Sequence, residues 1–152
     1  MCPFDRNVSV GEVRLLSPKI TPHIERPVYI AVFRQWDERH VLIAPFSPYL
    51  IPATTTELLF AHRHATLRVL CLWNVVTVRP KDLARSWYID RLSDDDLSDG
   101  WHVFRHAITG SSLREEMIAR VGAAIRHASD LRIAYQEDEV KVLANLSFAG
   151  MG

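Results

Sequence analysis

The chain has 152 residues, 18 Lys+Arg against 18 Asp+Glu, and 48% hydrophobic to 24% charged residues. That balance excludes wholesale disorder and a uniformly basic coat for nucleic acid. The length allows one domain, or a body of roughly 110 residues with an appendage. No apolar run reaches the ~18 residues that span a bilayer, and the opening MCPFDRNVSV lacks a signal-peptide core, so no membrane partner is expected. Cys2 and Cys71 are the only cysteines, too few for a disulfide framework, which points to a reducing cytoplasm.

The first ninety residues read as short strands between turns. GEVRLL (11–16) predicts a brief strand opened by a glycine, and SPKITPHIERP (17–27), with three prolines, predicts a loop. PVYIAVFRQW (27–36) is rich in β-branched and aromatic residues. DER (37–39) then turns the chain into HVLIAPFS (40–47), which predicts a hairpin. Pro45, Pro48 and Pro52 make the next rim irregular, and ATTTELLFAHRHATL (53–67) fits either strand or short helix. RVLCLWNVVTV (68–78) predicts one buried strand bent at Asn74, and SWYID (86–90) a further strand.

Ser93 before three aspartates is a helix-capping signal. Leu97, Trp101, Phe104 and Ile108 follow on one face, and Gly110 closes the helix. SSLREEMIARVGAAIRHA (111–128) looks helical, and DLRIAYQEDEVKVLANL (130–146) amphipathic or extended. These elements predict a mainly β fold with C-terminal helices: a small barrel or half-barrel over 1–110 and an acidic extension over 111–152. Charge divides along the chain. Residues 1–92 carry 12 Lys+Arg and 8 Asp+Glu, whereas 93–152 carry 6 and 10. A mildly basic body with an acidic tail raises the question of anionic partners, although a neutral surface can vary this much by chance.

Arg26 stands at the mouth of a strand after a proline-rich loop, where a fork of donors suits a phosphate or a developing oxyanion. If 27–36 and 40–47 pair, Ser47 lies at the same end and the two side chains can face one reacting group; a turn-capping hydroxyl is the plainer use of that serine. His62 with His64, and His102 with His106, have the spacing of paired ligands but lack the rest of a metal motif, and no metal or cofactor is expected. There is neither a glycine-rich phosphate loop nor a nucleophile elbow.

Taken in order, the segments resemble the MazF/PemK-like toxin family, small SH3-like barrels that act as endoribonucleases. GEVRLL is similar to the family's opening G-D-V strand, with Glu12 for Asp, and RPVYIAVF to its R-P-hydrophobic strand. VLIAPFS resembles the third strand, which ends in a Thr-Ser signature. RVLCLWNVVTVRPKDL resembles the pair carrying a D-Q motif, with Trp73-Asn74 in its place. SWYIDRLSDDDLSDGWHVFRHAITG is similar to the closing strand and helix, so the likeness covers about residues 11–110. It implies a catalytic pair, Arg26 and Ser47, acting without metal on single-stranded RNA. The 2′-OH would attack the phosphate to leave a 2′,3′-cyclic end. Arg26 would stabilise the phosphorane and move a proton, and Ser47 would donate to a non-bridging oxygen. Tyr49 and Trp36 are the candidates for stacking a base, and Asn74 stands where the family contacts substrate. A homodimer, an antitoxin or other protein partner and a cytoplasmic location belong to the same implication.

The departures at Ser47 and Trp73-Asn74 support another reading, a catalytically lapsed barrel serving as a protein- or nucleic-acid-binding adaptor; a purely structural subunit is a third. Family toxins are neutralised by a peptide laid along the substrate groove. Here Glu137, Asp138 and Glu139 beside an apolar run give residues 130–148 a composition suited to docking in cis and damping binding; simple packing on the body or on a second copy is the alternative.

Overall fold

A computed structural model describes residues 8–18, 26–49, 53–60, 67–141 and 143. Seven strands come first: β1 (Glu12–Leu16), β2 (Val28–Gln35), β3 (Val41–Pro45), β4 (Glu57–Leu59), β5 (Val69–Cys71), β6 (Val76–Val78) and β7 (Trp87–Arg91). Helices α1 (Asp94–Thr109) and α2 (Leu131–Glu139) follow, with 3₁₀ turns at Pro80–Leu83 and Glu115–Arg120.

The antiparallel order β6-β3-β2-β1-β7 makes one five-stranded sheet, and β4-β5 a separate two-stranded one. The expected hairpin forms, with Ala31 opposite Ala44 and Gln35 opposite Val41. Strand alternation sends side chains of β2 to opposite faces, and both faces are buried. Ala31 and Phe33 join a core with α1 and β4-β5, while Ile30 and Val32 join a second with Leu83 and Leu143. Covering on both sides explains why 27–36 and 40–47 read as continuous apolar runs rather than as alternating ones.

The fold is therefore mixed α/β with substantial antiparallel sheet. Among the described residues the strands do not close into a barrel: β6 and β7 are the two edges of the sheet, and β4 and β5 form a sheet of their own. The cause lies in 68–78, expected as one bent strand. Residues 72–75 form a turn instead, so β5 and β6 belong to different sheets. The 53–67 ambiguity resolves to a strand at β4; residues 61–66, with His62 and His64, lie outside the described residues.

Helix α1 begins as its sequence dictates. The Ser93 hydroxyl accepts from the Asp96 amide, the Asp96 carboxylate accepts from the Ser93 amide, and Gly110 at φ 69° ends the helix. Its buried face runs through Gly100, Val103 and Phe104, whereas Ile108, expected on that face, is 63% exposed. Gly100 lies over Leu72, where a Cβ would make ordinary van der Waals contact.

The helix expected over 111–128 reduces to the turn at Glu115–Arg120. Beyond it the chain runs extended along the β4 segment. Val121 bridges Leu58, and the amides of Gly122 and Ala123 donate to the carbonyls of Thr54 and Ala53 at 2.9 and 3.0 Å. Only glycine fits at 122, because a Cβ would lie 1.8 Å from the Ala53 oxygen. Amides committed to a neighbouring segment cannot serve a helix, and this overrides the local helical tendency. The helix that does form, α2, starts at Asp130, whose carboxylate accepts from the Arg132 amide.

A candidate anion site covered by an acidic helix

The β2–β3 register places Ile30 opposite Pro45, so Arg26, just before β2, and Ser47, just after β3, emerge at the same end of the hairpin. There β3 changes partner. The Phe46 amide donates to the Tyr29 carbonyl at 2.8 Å, and the next amide, Ser47, donates to the Val69 carbonyl of β5 at 2.8 Å. Ser47 thus sits at the junction of the two sheets and is only 4% exposed, while the Arg26 side chain remains 43% exposed. The Ser47 hydroxyl also accepts from the Tyr49 amide at 3.2 Å, the turn-capping use of such a serine.

Helix α2 lies across this junction. Arg26 Nη2 donates to Asp138 Oδ2 at 3.3 Å, and the Tyr49 hydroxyl donates to the same oxygen. Ser47 Oγ donates to Glu139 Oε1 at 3.2 Å, and Asn74 Nδ2 to the Glu139 carbonyl at 3.1 Å. The Tyr135 ring meets Tyr49 edge-on at 4.8 Å between centroids. Four of the residues singled out in the sequence, Arg26, Ser47, Tyr49 and Asn74, thus converge beneath one short helix. Trp36 does not join them. It follows β2 at its far end, 57% exposed, so the whole eight-residue strand, roughly 26 Å long at about 3.3 Å per residue, separates it from Arg26.

The electrostatics follow from these contacts. Burial works to lower the Arg26 pKa, but hydrogen bonding to Tyr49 and Asp138 outweighs it, and the guanidinium is held as a cation. The Tyr49 hydrogen bond, followed by Arg26, draws Asp138 below its usual range, and the same bond to Asp138 raises Tyr49. Glu139 moves the other way: burial pushes its carboxyl up, against hydrogen bonds from Cys71 and Ser47 that favour the anion.

Behind Glu139 is a feature with no sequence signal of its own. Cys71 Sγ lies 3.2 Å from Glu139 Oε2 and 3.4 Å from Glu57 Oε2, and Glu57 also accepts from Trp73 Nε1 at 3.1 Å and the Thr54 amide at 2.7 Å. Glu57, Cys71 and Glu139 are all buried. Burial, then the two carboxylates, push the Cys71 thiol well up, so it serves as a proton donor between them. Among the described residues these three are the group able to ligate a cation, their donor atoms lying within 4.8 Å of one another. His102 and His106 take separate partners, Arg114 for the first and the Ser111 carbonyl with Thr55 for the second.

Beside Arg26 opens a cavity of about 120 Å³ walled by Pro27, Tyr29, Phe46, Pro48 and Glu139. Small-molecule sites usually exceed about 300 Å³, so this one suits one ring or group of a ligand extending beyond it. No described helix is long and apolar enough to cross a membrane. In comparisons with known proteins, no family model, curated protein or solved structure matches the chain.

Proposed function

We propose that the chain is a MazF/PemK-like, metal-independent endoribonuclease of single-stranded RNA, with its phosphodiester gripped between Arg26 and Ser47. One observation carries this reading: the two side chains hydrogen-bond the side chains of adjacent residues, Asp138 and Glu139, and so can engage oxygens closely spaced along a single chain. A polynucleotide backbone offers the same pattern. The fixed cation at Arg26 would stabilise the phosphorane formed as the 2′-OH attacks, and Ser47 would donate to a non-bridging oxygen. The 2′-OH gives its proton to solvent water as the new P–O bond forms, and the leaving 5′-oxygen takes one from solvent water as its bond to phosphorus breaks. Tyr49 and the small cavity offer a face and a slot for one unpaired base.

The SH3-like relationship belongs to the same proposal and draws on the Phe46–Leu70 bridge, which joins the two sheets as a barrel corner would. A cytoplasmic location fits the free, buried Cys71. A homodimer or a protein partner fits the edge strand β7, whose Trp87, Tyr88 and Ile89 are 40%, 47% and 40% exposed. Those residues, together with the burial of Ser47, favour the second reading, a non-catalytic binding module.

Cleavage of labelled single-stranded RNA in EDTA separates the two. The ribonuclease reading expects 2′,3′-cyclic ends, no cleavage of the all-deoxy strand, and a loss of about 10²-fold or more in Arg26→Ala. Cleavage surviving that substitution removes Arg26 from the reaction. If neither the wild type nor Tyr135→Ala/Asp138→Ala, which frees the rim, cleaves diverse RNAs, the binding module stands.

A further inference from the structure

The corner formed by Glu57, Cys71 and Glu139 has a composition that packing alone does not explain. The three residues are far apart in the chain, on β4, β5 and the last turn of α2, and are 4%, 0% and 2% exposed. Burying two carboxylates side by side is expensive, and such a pair persists where something holds it. The two guanidiniums whose charge reaches them, Arg26 for Glu139 and Arg132 for Glu57, are committed to Asp138 and Asp130.

The hydrogen bonds of the corner do not close on themselves. Cys71 Sγ stands 3.2 Å from Glu139 Oε2 and 3.4 Å from Glu57 Oε2, and among the described residues the thiol has no other polar partner. A thiol carries one proton, so it serves one of these oxygens and sets its lone pairs against the other. Donors from outside the trio brace both acids. Ser47 Oγ donates to Glu139 Oε1 at 3.2 Å, the Thr54 amide to Glu57 Oε1 at 2.7 Å, and Trp73 Nε1 to Glu57 Oε2 at 3.1 Å. One oxygen of each acid, Oε2, is thereby turned toward the sulfur.

The spacing is that of a coordination sphere. In tetrahedral zinc, with sulfur at about 2.3 Å and oxygen at about 2.0–2.2 Å, a sulfur and an oxygen ligand stand about 3.5 Å apart. Both sulfur–oxygen separations here come close to that, and all three donor atoms lie within 4.8 Å of one another. Ligands braced by outer hydrogen bonds are the usual company of such an ion.

We infer that Glu57, Cys71 and Glu139 form a structural zinc site: one oxygen of each acid and the Cys71 thiolate bind Zn²⁺, water fills the fourth place, and the ion staples α2 to the β4–β5 sheet. Zinc takes the place of the thiol proton, which leaves to solvent, so two positive charges then face three negative ones. A thiolate among the donors favours zinc over magnesium or calcium, which take oxygen ligands. Glu139 also walls the cavity beside Arg26, which gives the ion a way in. The ion uses Oε2 of Glu139 and Ser47 uses Oε1, so the inference stands apart from the phosphodiester reading, in which neither Arg26 nor Ser47 is a ligand.

Cobalt(II) is the probe, because it enters tetrahedral zinc sites and reports its ligands by colour. Full-length Cys2→Ser protein, in which Cys71 is the sole thiol, is stripped of metal and titrated with Co²⁺ and then with Zn²⁺. One equivalent of Co²⁺ should give a sulfur-to-cobalt charge-transfer band and strong visible bands, and Zn²⁺ should bleach both. Zinc should also raise the melting temperature, since it binds the folded corner. In that background Cys71→Ser should abolish the charge-transfer band. Cys71→Ser, Glu57→Gln and Glu139→Gln should each weaken zinc binding by more than about 100-fold, beyond what an outer donor is worth. Trp73→Phe, which removes such a donor, should weaken it by about 10–100-fold and keep the band, a loss that a packing role alone would not produce. If Cys71→Ser does not fold by circular dichroism, the two glutamine variants, which keep the shape of the side chain, carry the test. A folded Cys2→Ser protein without the charge-transfer band overturns the site. So does zinc binding that survives at full strength in Cys71→Ser or in both glutamine variants, which assigns the ion to histidines elsewhere. Either result leaves Arg26 and Ser47 to be judged by the cleavage of RNA.

Discussion

Two corners of the molecule bury carboxylates, and they do so in opposite ways. At the first, Glu12 of β1 receives Arg14 Nη1 at 2.9 Å, and Arg14, with no exposed surface, also donates through Nε to Ser86 Oγ at 2.6 Å and through Nη2 to the Ser86 carbonyl at 2.8 Å. The negative charge is matched by a positive one, and strand and turn are tied together. At the second, Glu57 and Glu139 close on the Cys71 thiol and accept from neutral donors, Ser47 Oγ for Glu139 and Trp73 Nε1 and the Thr54 amide for Glu57. The matched corner ties β1 to the turn before β7. At the other corner burial raises both the Glu139 carboxyl and the Cys71 thiol, so its energy depends on the protons they carry.

The contrast can be broken most forcefully at the first corner. Arg14→Ala removes the nearer of two ion-pair partners of the buried Glu12, leaving Arg91 at 3.8 Å, and should cost about 3 kcal/mol of stability by urea denaturation. A change below about 1 kcal/mol would mean that water reaches this corner, and the comparison would lose its rigid member. Next in size is Gly122→Ala. The added methyl meets the Ala53 carbonyl, so the extended segment must peel away at about 1–3 kcal/mol, with faster exchange at Gly122 and Ala123. Arg132 uses the neighbouring carbonyls, so α2 should loosen in the same variant.

In the metal-free protein, Glu57→Gln sharpens the second corner. It removes the like charge that faces Glu139, so α2 protection should rise at neutral pH, and its pH dependence should move toward that of an isolated buried acid. Unchanged protection would show that Glu57 does not act on the helix. The smallest effect belongs to the exposed Arg26–Asp138 pair. Raising salt from about 0.1 to about 1 M shrinks the screening length from about 10 to about 3 Å and should loosen only the C-terminal end of α2. No loosening would shift the weight of the seat onto Glu139 and the tyrosine pair.

The regular parts of this architecture were legible because their signals are local. The β2–β3 hairpin announces itself through two apolar runs and a polar turn, and α1 through Ser93, three aspartates and Gly110. Residues 68–78 misled because a buried turn at 72–75 keeps the apolar character of the strands on either side. Residues 111–128 misled because their helical tendency loses to amides already bonded to 53 and 54, a long-range fact. At the site, Arg26 and Ser47 were found by arithmetic on a hairpin, and the same arithmetic would have excluded Trp36 from it. Asp138 and Glu139 stood out as part of an acidic segment. Glu57 and Cys71 did not, since nothing local distinguishes a carboxylate that will be buried from one that will face water.

Ser47 owes its place to main-chain bonds, its own amide to Val69 and the preceding one to Tyr29. A hydroxyl positioned by peptide groups keeps its coordinates while the side chains around it change. Side chains at neighbouring rim positions can therefore be exchanged without displacing the Ser47 hydroxyl.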